Sequence, residues 1–362
     1  MQKSCYSYPV EFVEDVFGAS DVLATTLKTV SCSQSPKVLI VADLNVVQRV
    51  GGLGAKIGRY VQGHGLVLAG SPVVLSCGER VKTDNLQSVM QVIAALLEAR
   101  MGGRDIVLAI GGGTLLDVAG YAASQVCGGV KLVRMPTTPA AMIDAAYAER
   151  ALMDSSQIKD VLSVPSVPAA VIIDSTFANT VLDGVWFGGL GEAVRLALMR
   201  DSALLKRLIA LAADYRARKP EALAAIVRDA GAVRAKKGPT DFAEWPAARL
   251  EAMSGYKLPH GYAIAIGIVI EMTYAAEAGI LKAKDRTAVL DLLRAGGALD
   301  GLVHSQHLVS QAESVLAGLD TWYRCHPDWV RELPAAPGRA KVEQPDRALY
   351  TSVLNFDKIS SL

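Results

Sequence analysis

One stretch of the sequence, residues 105–144, restricts the possible folds more than any other. It begins with a short apolar run at 106–110, continues through three glycines into a helical pattern, and closes with a second apolar run at 131–135. This order predicts a strand, a glycine turn, a helix and a parallel strand, which is a βαβ unit. Because glycine lacks a Cβ, such a turn lets backbone N–H groups approach a pyrophosphate at the start of the helix. The alternative is a tight turn without a ligand.

The first 176 residues alternate strand and helix patterns. Further strands are predicted at 37–41, 73–76 and 170–174, and helices at 46–61 and 84–101. Apolar strands without polar alternation that are separated by helices indicate a parallel sheet covered on both faces. Ligands of such sheets bind beyond the C-terminal ends of the strands, where this sequence places its glycines and many polar residues. We expect a Rossmann-like α/β domain over residues 1–176.

From residue 177 to residue 362 the pattern is helical, which predicts a C-terminal all-α domain. The predicted helices cover 192–213, 221–236, 245–254, 260–278, 284–296 and 306–317. The last forty residues hold four prolines and mixed charge, and the sequence alone assigns them no structure.

Charge and cysteine content limit the classes of function open to the chain. Its 37 basic and 36 acidic residues leave a net charge of +1, which argues against general binding of nucleic acids or membrane surfaces. The five cysteines lack CxxC spacing, which is typical of a reducing compartment. The longest apolar stretch, 263–270, is too short to span a bilayer, and the N-terminus lacks the apolar segment of a secretory signal. We expect a cytoplasmic protein that binds no nucleic acid and no membrane.

Short motifs occur along the chain in an order and spacing that are specific when taken together. They are Asp43-x-Asn45, Gly78-Glu79-x-x-Lys82, GGGTLLDVAG at 111–120, Pro136-Thr137-Thr138, Ile143-Asp144, Lys159, Phe177-x-x-Thr180, GLGEAVRLAL at 189–198 and His260-Gly261. From about residue 43 to about residue 272, the chain thereby resembles the dehydroquinate-synthase-like proteins of the sugar phosphate cyclase superfamily. The segment 241–261 resembles most closely the divergent branch associated with the bacterial ebo operon. Iron-type alcohol and polyol dehydrogenases share the fold and a similar glycine motif.

The resemblance implies that the N-terminal domain holds NAD and that the protein is a homodimer acting on a small-molecule substrate. The cofactor contacts of the family, carried over residue by residue, fall on Asp43, Asn45, Glu79, Lys82, Gly111, Gly112, Gly113, Asp117, Thr137, Thr138, Asp144, Lys159, Phe177 and Thr180. The chemistry of these residue types suits a dinucleotide, because carboxylates accept hydrogen bonds from ribose hydroxyls and backbone N–H groups bind phosphate oxygens.

In the resembled family, one glutamate and two histidines bind a metal ion. The glutamate falls on Glu192 and the second histidine on His260, whereas the first histidine falls on Glu244. These three residues could hold a divalent ion, and two carboxylates with one imidazole would accept zinc but favour manganese or iron(II). In the alternative the metal is absent, and Glu244 is a solvated carboxylate or pairs with basic residues nearby in the sequence.

The resemblance also suggests which residues act on the substrate. Asp144 would lie beside the nicotinamide, and Lys237 and Arg195 would stabilise oxyanions. Arg150, in the loop between residues 144 and 160, and Arg195 both stand where the family has lysine. Because arginine is a planar fork and lysine a point charge, both exchanges alter the shape of the site.

Two further differences affect the expected substrate. A family arginine that contacts phosphate falls on Gly128, and a family asparagine falls on Asp241. Losing a cation and gaining an acid both disfavour a phosphate group. The phosphorylated seven-carbon substrate typical of the family is therefore not the expected one here.

Three functions are compatible with this pattern. The first is an NAD-dependent carbon–oxygen lyase that oxidises a sugar-derived or carbocyclic polyol transiently, eliminates a leaving group and closes a ring without net formation of NADH. The second is an NAD-binding protein or partner subunit that has lost catalysis, because histidine is absent at 244 and 248. The third is a metal-dependent alcohol dehydrogenase, a class that usually relies on more histidines than the His260 motif offers.

Overall fold

The structure, a computed structural model, describes residues 7–155 and 158–354. The chain divides into two compact units, residues 1–181 and 182–362. The 3-10 helix Ser175–Thr180, which includes Phe177 and Thr180, belongs to the first unit.

The N-terminal unit is built on a parallel β-sheet. Its strands are β1 (Val10–Phe12), β2 (Lys37–Asp43), β3 (Val67–Leu68), β4 (Val73–Leu75), β5 (Ile106–Gly111), β6 (Lys131–Pro136) and, after a separate hairpin of β7 (Arg150–Ser155) and β8 (Ile158–Pro165), β9 (Ala170–Ile173). The helices are α1 (Val22–Ser31), α2 (Leu44–Arg49), α3 (Leu53–Gly63), α4 (Gln87–Glu98), α5 (Gly113–Gln125) and α6 (Pro139–Ile143). The predicted α/β class with a parallel sheet is confirmed.

The strand order of this sheet indicates where a ligand would bind. The order is β1-β9-β6-β5-β2-β3, and β4 also pairs with β2. After β2 the chain builds β3 and β4 on one side of it, and then returns through α4 to build β5 on the other side. The direction of winding therefore reverses between β2 and β5, and open α/β sheets bind ligands at the C-terminal ends of strands at such a point.

Burial of both sheet faces explains why the strands read as continuous apolar runs. In β5, Val107 and Ala109 pack into the core on one face, while Ile106, Leu108 and Ile110 pack into the core on the other. All six residues of β5 are buried. A strand buried on both faces gains nothing from alternating polar side chains, so its pattern is uniformly apolar.

Three local predictions for this unit are corrected by the structure. The single helix predicted at 46–61 is two helices, α2 and α3, separated by a turn in which Gly52 has φ +67°. The helix predicted at 84–101 is shorter, because Leu86 adopts a left-handed conformation and α4 begins after it. The loop expected between residues 144 and 160 contains most of an antiparallel hairpin, β7–β8.

The C-terminal unit is helical, as predicted. Its helices are α7 (Asp183–Arg200), α8 (Ser202–Arg216), α9 (Pro220–Lys237), α10 (Glu244–Met253), α11 (His260–Glu277), α12 (Ala283–Ala295), α13 (Gln306–Val309), α14 (Ala312–Cys325) and α15 (Arg347–Val353). The predicted helix 192–213 is divided, because the Asp201 side chain accepts from the N–H groups of Ala203 and Leu204 and so caps a new helix. The helix predicted at 306–317 is likewise two, α13 and α14. Within the described residues, no helix has both the length and the apolar character needed to cross a membrane.

The last forty residues add a hairpin, β10 (Glu332–Ala336) with β11 (Arg339–Val342), and the helix α15. A buried polar network fastens them to α10 and α11. Glu271 accepts from Arg331 Nη2 at 2.8 Å, from Tyr350 OH at 2.6 Å and from Trp245 Nε1. The Arg331 guanidinium also lies over the ring of Tyr274, 4.3 Å from its centre. Paired in this way, a carboxylate and a guanidinium can both be buried.

Helices α7 and α11 cross without an intervening side chain. A Cβ added to Gly188 would lie 2.8 Å from the Cα of Gly261, and a Cβ added to Gly261 would overlap the backbone of Gly188. One turn further along α7, a Cβ on Gly191 would lie 3.0 Å from the carbonyl oxygen of Gly261. This contact brings Glu192 on α7 beside His260, the first residue of α11.

Candidate functional site

The glycine turn predicted from the sequence lies at the C-terminal end of β5, next to the point between β2 and β5 where the winding of the chain reverses. Strand β5 ends at Gly111, and α5 begins at Gly113. Gly112 is the N-cap residue of α5, and among the described residues no side chain makes a capping hydrogen bond there. A Cβ on Gly112 would lie 3.2 Å from Thr138 Cγ2, and one on Gly113 would lie 3.3 Å from Ala145 Cβ. The turn therefore presents backbone N–H groups at a helix start with no side chain of its own in the way, which suits a pyrophosphate.

Other predicted cofactor residues follow the C-terminal ends of neighbouring strands. Asp43 ends β2 and accepts from the backbone N–H of Asn45 at 2.8 Å and from its side-chain amide at 3.1 Å. Burial raises the pKa of Asp43, and the bonds from Asn45 partly offset that rise. After β6, Thr137 is buried, and Thr138 Oγ1 accepts from the N–H of Ala141 and caps α6.

The remaining cofactor residues of this edge follow α6 and β9. Asp144 ends α6, and its N–H donates to the carbonyl oxygen of Ala140 at 3.0 Å. Thr180 Oγ1 donates to the carbonyl oxygen of the buried Phe177 at 2.9 Å. In these contacts the predicted residues support local structure, and their role toward NAD stays a prediction.

Four of the predicted cofactor residues are ion-paired within the N-terminal unit. Lys82 Nζ lies 3.1 Å from Asp117 Oδ2 and 2.5 Å from Asp160 Oδ1, and Lys159 Nζ lies 3.6 Å from Glu79 Oε2. Burial disfavours the charge on Lys82, but the carboxylates of Asp117 and Asp160 outweigh it and raise the pKa of this lysine. The cluster fastens the β7–β8 hairpin to α5 and to the 3-10 helix Glu79–Thr83.

Asp154 on β7 also belongs to this cluster, and the sequence analysis missed it together with Asp160. Its Oδ1 accepts from the N–H of Asp160 at 2.9 Å, while its buried Oδ2 has no hydrogen-bond partner among the described residues. Burial raises the pKa of Asp154 to about 6, although Lys82 opposes the rise. Strict alternation along β7 would place Asp154 on the face of the exposed Arg150, opposite the buried Ala151 and Met153, so no sequence pattern indicated its burial. The strand pairing shifts register between Met153 and Ser155, which is where Asp154 departs from that alternation.

We expect Asp154→Asn to stabilise the protein at pH 8 and to leave its stability unchanged at pH 4. An acid whose pKa rises on folding favours the folded state below its unfolded pKa, and that advantage is lost as pH rises through the folded pKa. The loss here falls between about pH 4 and pH 6 and amounts to at most about 3 kcal/mol. Thermal unfolding at both pH values measures it. The exposed Asp328, changed to asparagine, is the control, and equal pH profiles for Asp154→Asn and the wild type would contradict the prediction.

Arg150, a predicted catalytic residue, lies at the start of β7. Its Nε donates to Ser163 Oγ at 2.5 Å and its Nη2 donates to the carbonyl oxygen of Ser163 at 3.1 Å. These contacts link the two strands of the β7–β8 hairpin. A role in catalysis stays a prediction.

The three predicted metal ligands form a chain of charged contacts in the C-terminal unit. Arg195 Nε donates to Glu192 Oε2 at 2.7 Å, and Arg195 Nη1 donates to Glu244 Oε2. His260 Nε2 lies 3.2 Å from Glu192 Oε1, and its Nδ1 lies 2.8 Å from Glu251 Oε1. We call these five residues the acidic cluster. The structure thus brings Glu192, Glu244, His260 and Arg195 together, and their roles as metal ligands and catalytic residue stay predictions.

Glu251 is the member of the acidic cluster that the sequence analysis missed. It is fully buried, and Glu244 stands seven residues before it on α10. Seven residues are two helical turns, so both carboxylates lie on one face of the helix, and this spacing could have identified the pair. A carboxylate on the far nitrogen of a histidine fixes the orientation of the ring and leaves Nε2 facing the ligand side.

Three features of the acidic cluster are compatible with a divalent cation. Glu192 Oε1 is buried and makes no hydrogen bond among the described residues. Its 3.2 Å distance from His260 Nε2 is close to the ~3.3 Å that separates two donors of one tetrahedral ion with bonds of about 2.0 Å. The five side chains also carry three carboxylates and one guanidinium, so a divalent ion beside a neutral imidazole would balance their charge. Among the described residues, no three acid, histidine or cysteine side chains converge on a single point, which agrees with the engagement of Glu244 by Arg195.

Lys237, the last predicted catalytic residue, has other partners. Its Nζ donates to the carbonyl oxygen of Arg200 at 2.6 Å and to Asp201 Oδ2 at 2.9 Å. These bonds connect the end of α9 to the junction between α7 and α8. The structure therefore gives Lys237 a structural contact, and its proposed action on an oxyanion stays a prediction.

Two family models together match most of the chain. Residues 72–185 match the family model for the N-terminal part of 3-dehydroquinate synthase, and residues 189–309 match the model for its C-terminal part. A 2-epi-valiolone synthase from Actinosynnema mirum is 28% identical over 330 residues, which cover 86% of this chain and 81% of that protein.

Solved structures show the same fold over the whole chain. A 2-epi-5-epi-valiolone synthase from Streptomyces hygroscopicus, with NAD+ and Zn2+ bound, aligns with a TM-score of 0.85, 22% identity, and coverage of 100% of this chain and 99% of that one. A 2-deoxy-scyllo-inosose synthase complexed with carbaglucose-6-phosphate, NAD+ and Co2+ aligns with a TM-score of 0.79, 19% identity and 96% coverage of both chains.

Proposed function

We propose, since the chain belongs to the dehydroquinate-synthase-like sugar phosphate cyclase superfamily, that it is an NAD-dependent carbon–oxygen lyase. It acts on a sugar-derived or carbocyclic polyol through transient oxidation, elimination and cyclisation. The observation that carries the proposal is that one chain combines the glycine turn at the β2/β5 reversal with the acidic cluster. The bound NAD+ and metal ions of the related synthases support both assignments. Placement in the ebo-associated branch, assembly as a homodimer and a cytoplasmic location belong to the same proposal.

In the N-terminal unit, the chain's own groups bind and orient the dinucleotide. When bound, NAD would accept a hydride from the substrate and later return it. The N–H groups at the start of α5 bind its pyrophosphate, and the Asp43 carboxylate accepts from a ribose hydroxyl. Glycine at 112 and 113 keeps the turn free of side chains, so phosphate oxygens can approach the backbone.

In the C-terminal unit, Glu192, Glu244 and His260 are the proposed ligands of a divalent cation. When bound, the cation supplies polarisation of a substrate carbon–oxygen group. Glu251 accepts a hydrogen bond from the N–H at His260 Nδ1, which keeps the Nε2 lone pair directed at the proposed cation. Arg195 holds Glu192 and Glu244 by their Oε2 atoms, which leaves Glu192 Oε1 facing His260.

A cyclase of this type binds NAD tightly but accumulates no NADH, because the hydride returns to the intermediate before the product leaves. We therefore expect the purified protein to consume one member of a panel of hexose and heptose polyols, with and without phosphate, while NADH absorbance stays flat. Product formation is measured by mass spectrometry and NAD binding by calorimetry. Steady growth of NADH would instead establish a dehydrogenase.

A protein that binds NAD and no substrate is the second candidate function. The contact of Arg195 with both Glu192 and Glu244 favours it, because a guanidinium already supplies positive charge to two of the proposed ligands. Tight NAD binding without turnover of any panel member would support this candidate, and absence of NAD binding would contradict both.

A further inference from the structure

Arg195 occupies an unusual position among the proposed metal ligands. Its guanidinium bridges Glu192, three residues earlier on α7, and Glu244, the first residue of α10. The side chains of Arg195 and Glu192 are 6% and 2% exposed, and that of Glu244 is 17% exposed. The bridge therefore joins a buried pair, Arg195 and Glu192, to the half-buried Glu244, and it is not a surface pair.

Buried carboxylates that face one another need a positive charge between or beside them. Without one, both lose hydration and repel each other in a medium of low dielectric constant. In this chain Arg195 supplies that charge through two nitrogens of a single planar fork. The protein thus carries a covalently attached cation where a divalent ion would otherwise be the source of neutralisation.

We propose that Arg195 is a resident cation that stabilises the metal-free acidic cluster and thereby lowers the affinity of the cluster for a divalent ion. The inference rests on the cation site of the proposed function. A group that stabilises the free state more than the bound state weakens binding by the same free energy. Arg195 does this twice, because it neutralises Glu192 and Glu244 before an ion arrives and repels the ion afterwards.

One oxygen of Glu192 stays unsatisfied when the acidic cluster holds no metal ion. Arg195 satisfies Glu192 Oε2, but the buried Oε1 makes no hydrogen bond among the described residues. Arg195 therefore compensates part of the negative charge and leaves one oxygen directed toward His260 Nε2. A cluster of this kind binds a divalent ion reversibly and folds without it.

The test compares Arg195→Gln with Arg200→Gln in protein stripped of metal by a chelator. Arg200 lies on the same helix and pairs with Glu332, so its change removes the same charge away from the acidic cluster. Co2+ is titrated by calorimetry, and thermal unfolding is recorded with and without Co2+. We expect Arg195→Gln to lower the melting temperature of the metal-free protein, to tighten the Co2+ dissociation constant at least tenfold, and to enlarge the Co2+-induced rise in melting temperature. Arg200→Gln should leave the dissociation constant within about twofold of the wild type.

Each outcome decides the proposal. Binding of Co2+ by Arg195→Gln alone, with none by the wild type, supports it, whereas unchanged or weaker binding in Arg195→Gln overturns it. Absence of Co2+ binding in both proteins overturns it as well. Calorimetric titration of NAD into the wild type tests the proposed function separately, so the two failures are distinguishable.

Two further variants cover the case in which Arg195→Gln does not fold. Refolding with Co2+ is expected to rescue it, and failure of that rescue moves the test to Arg195→Lys. Lysine keeps the charge but not the fork, so its Co2+ dissociation constant should lie within about threefold of the wild type. A tenfold change in Arg195→Lys would overturn the assignment of the effect to charge.

Discussion

Replacing Arg331 with methionine is expected to destabilise the C-terminal unit by about 3–5 kcal/mol. Arg331 is buried and donates to Glu271, which is itself buried on α11. Removing the guanidinium leaves Glu271 with the donors of Tyr350 and Trp245 but without a compensating charge. A buried charge that loses its partner costs far more than the net contribution of the pair.

Denaturant unfolding followed by tryptophan fluorescence measures this effect, since Trp245 belongs to the network. Arg347→Met is the matched control, because Arg347 pairs with Glu313 and Asp320 at the surface and should lose less than about 1 kcal/mol. Adding Glu271→Gln to Arg331→Met should recover part of the loss. Equal destabilisation by Arg331→Met and Arg347→Met would show that the buried network does not fasten the last forty residues.

Gly112→Val is expected to weaken NAD binding by about 100-fold. A Cβ at this position would already lie 3.2 Å from Thr138 Cγ2, and a branched side chain would fill the space above the start of α5. The phosphate oxygens would then lose one or two charge-assisted hydrogen bonds to backbone N–H groups, each worth about 1.5–3 kcal/mol. The change should therefore act on the cofactor much more strongly than on the fold.

Calorimetric titration with NAD measures the affinity, and circular dichroism with thermal unfolding measures the fold. Gly54→Val is the matched control, because a Cβ on Gly54 would meet nothing within 4 Å. It should bind NAD as the wild type does. Wild-type NAD affinity in folded Gly112→Val would place the dinucleotide elsewhere than at this turn.

Sequence patterns identified the parallel sheet because burial on both faces makes its strands uniformly apolar. The same rule carries no information about hairpins that lie outside the main core. β7 and β8 mix polar and apolar residues, and the pairing of residue 150 with residue 165 is a property of the folded chain. The division between α7 and α8 depends on one capping side chain, Asp201, inside a continuous helical pattern.

The candidate site also has one part that the local sequence predicts and one part that depends on long-range contacts. The glycine turn is visible in sequence because strand, glycines and helix are contiguous. The contact of Arg195 with Glu244 joins residues 49 apart in the chain. No spacing rule specifies such a contact, because it depends on how α7 and α10 pack in the unit. The resemblance placed Glu192, Glu244 and His260 in one site, but the contacts that Arg195 and Glu251 make with them required the structure.

The crossing of α7 and α11 has a consequence for how this protein tolerates mutation. Gly188 and Gly261 bear no functional group, yet their backbones touch where any methyl group would overlap. Alanine at either position would push the two helices apart and would move Glu192 away from His260, although every acid, base and ligand stayed in place. Variant screens that follow only charged residues would score such a protein as intact. The distance between Glu192 and His260 in the acidic cluster thus depends on two glycines that have no side chain.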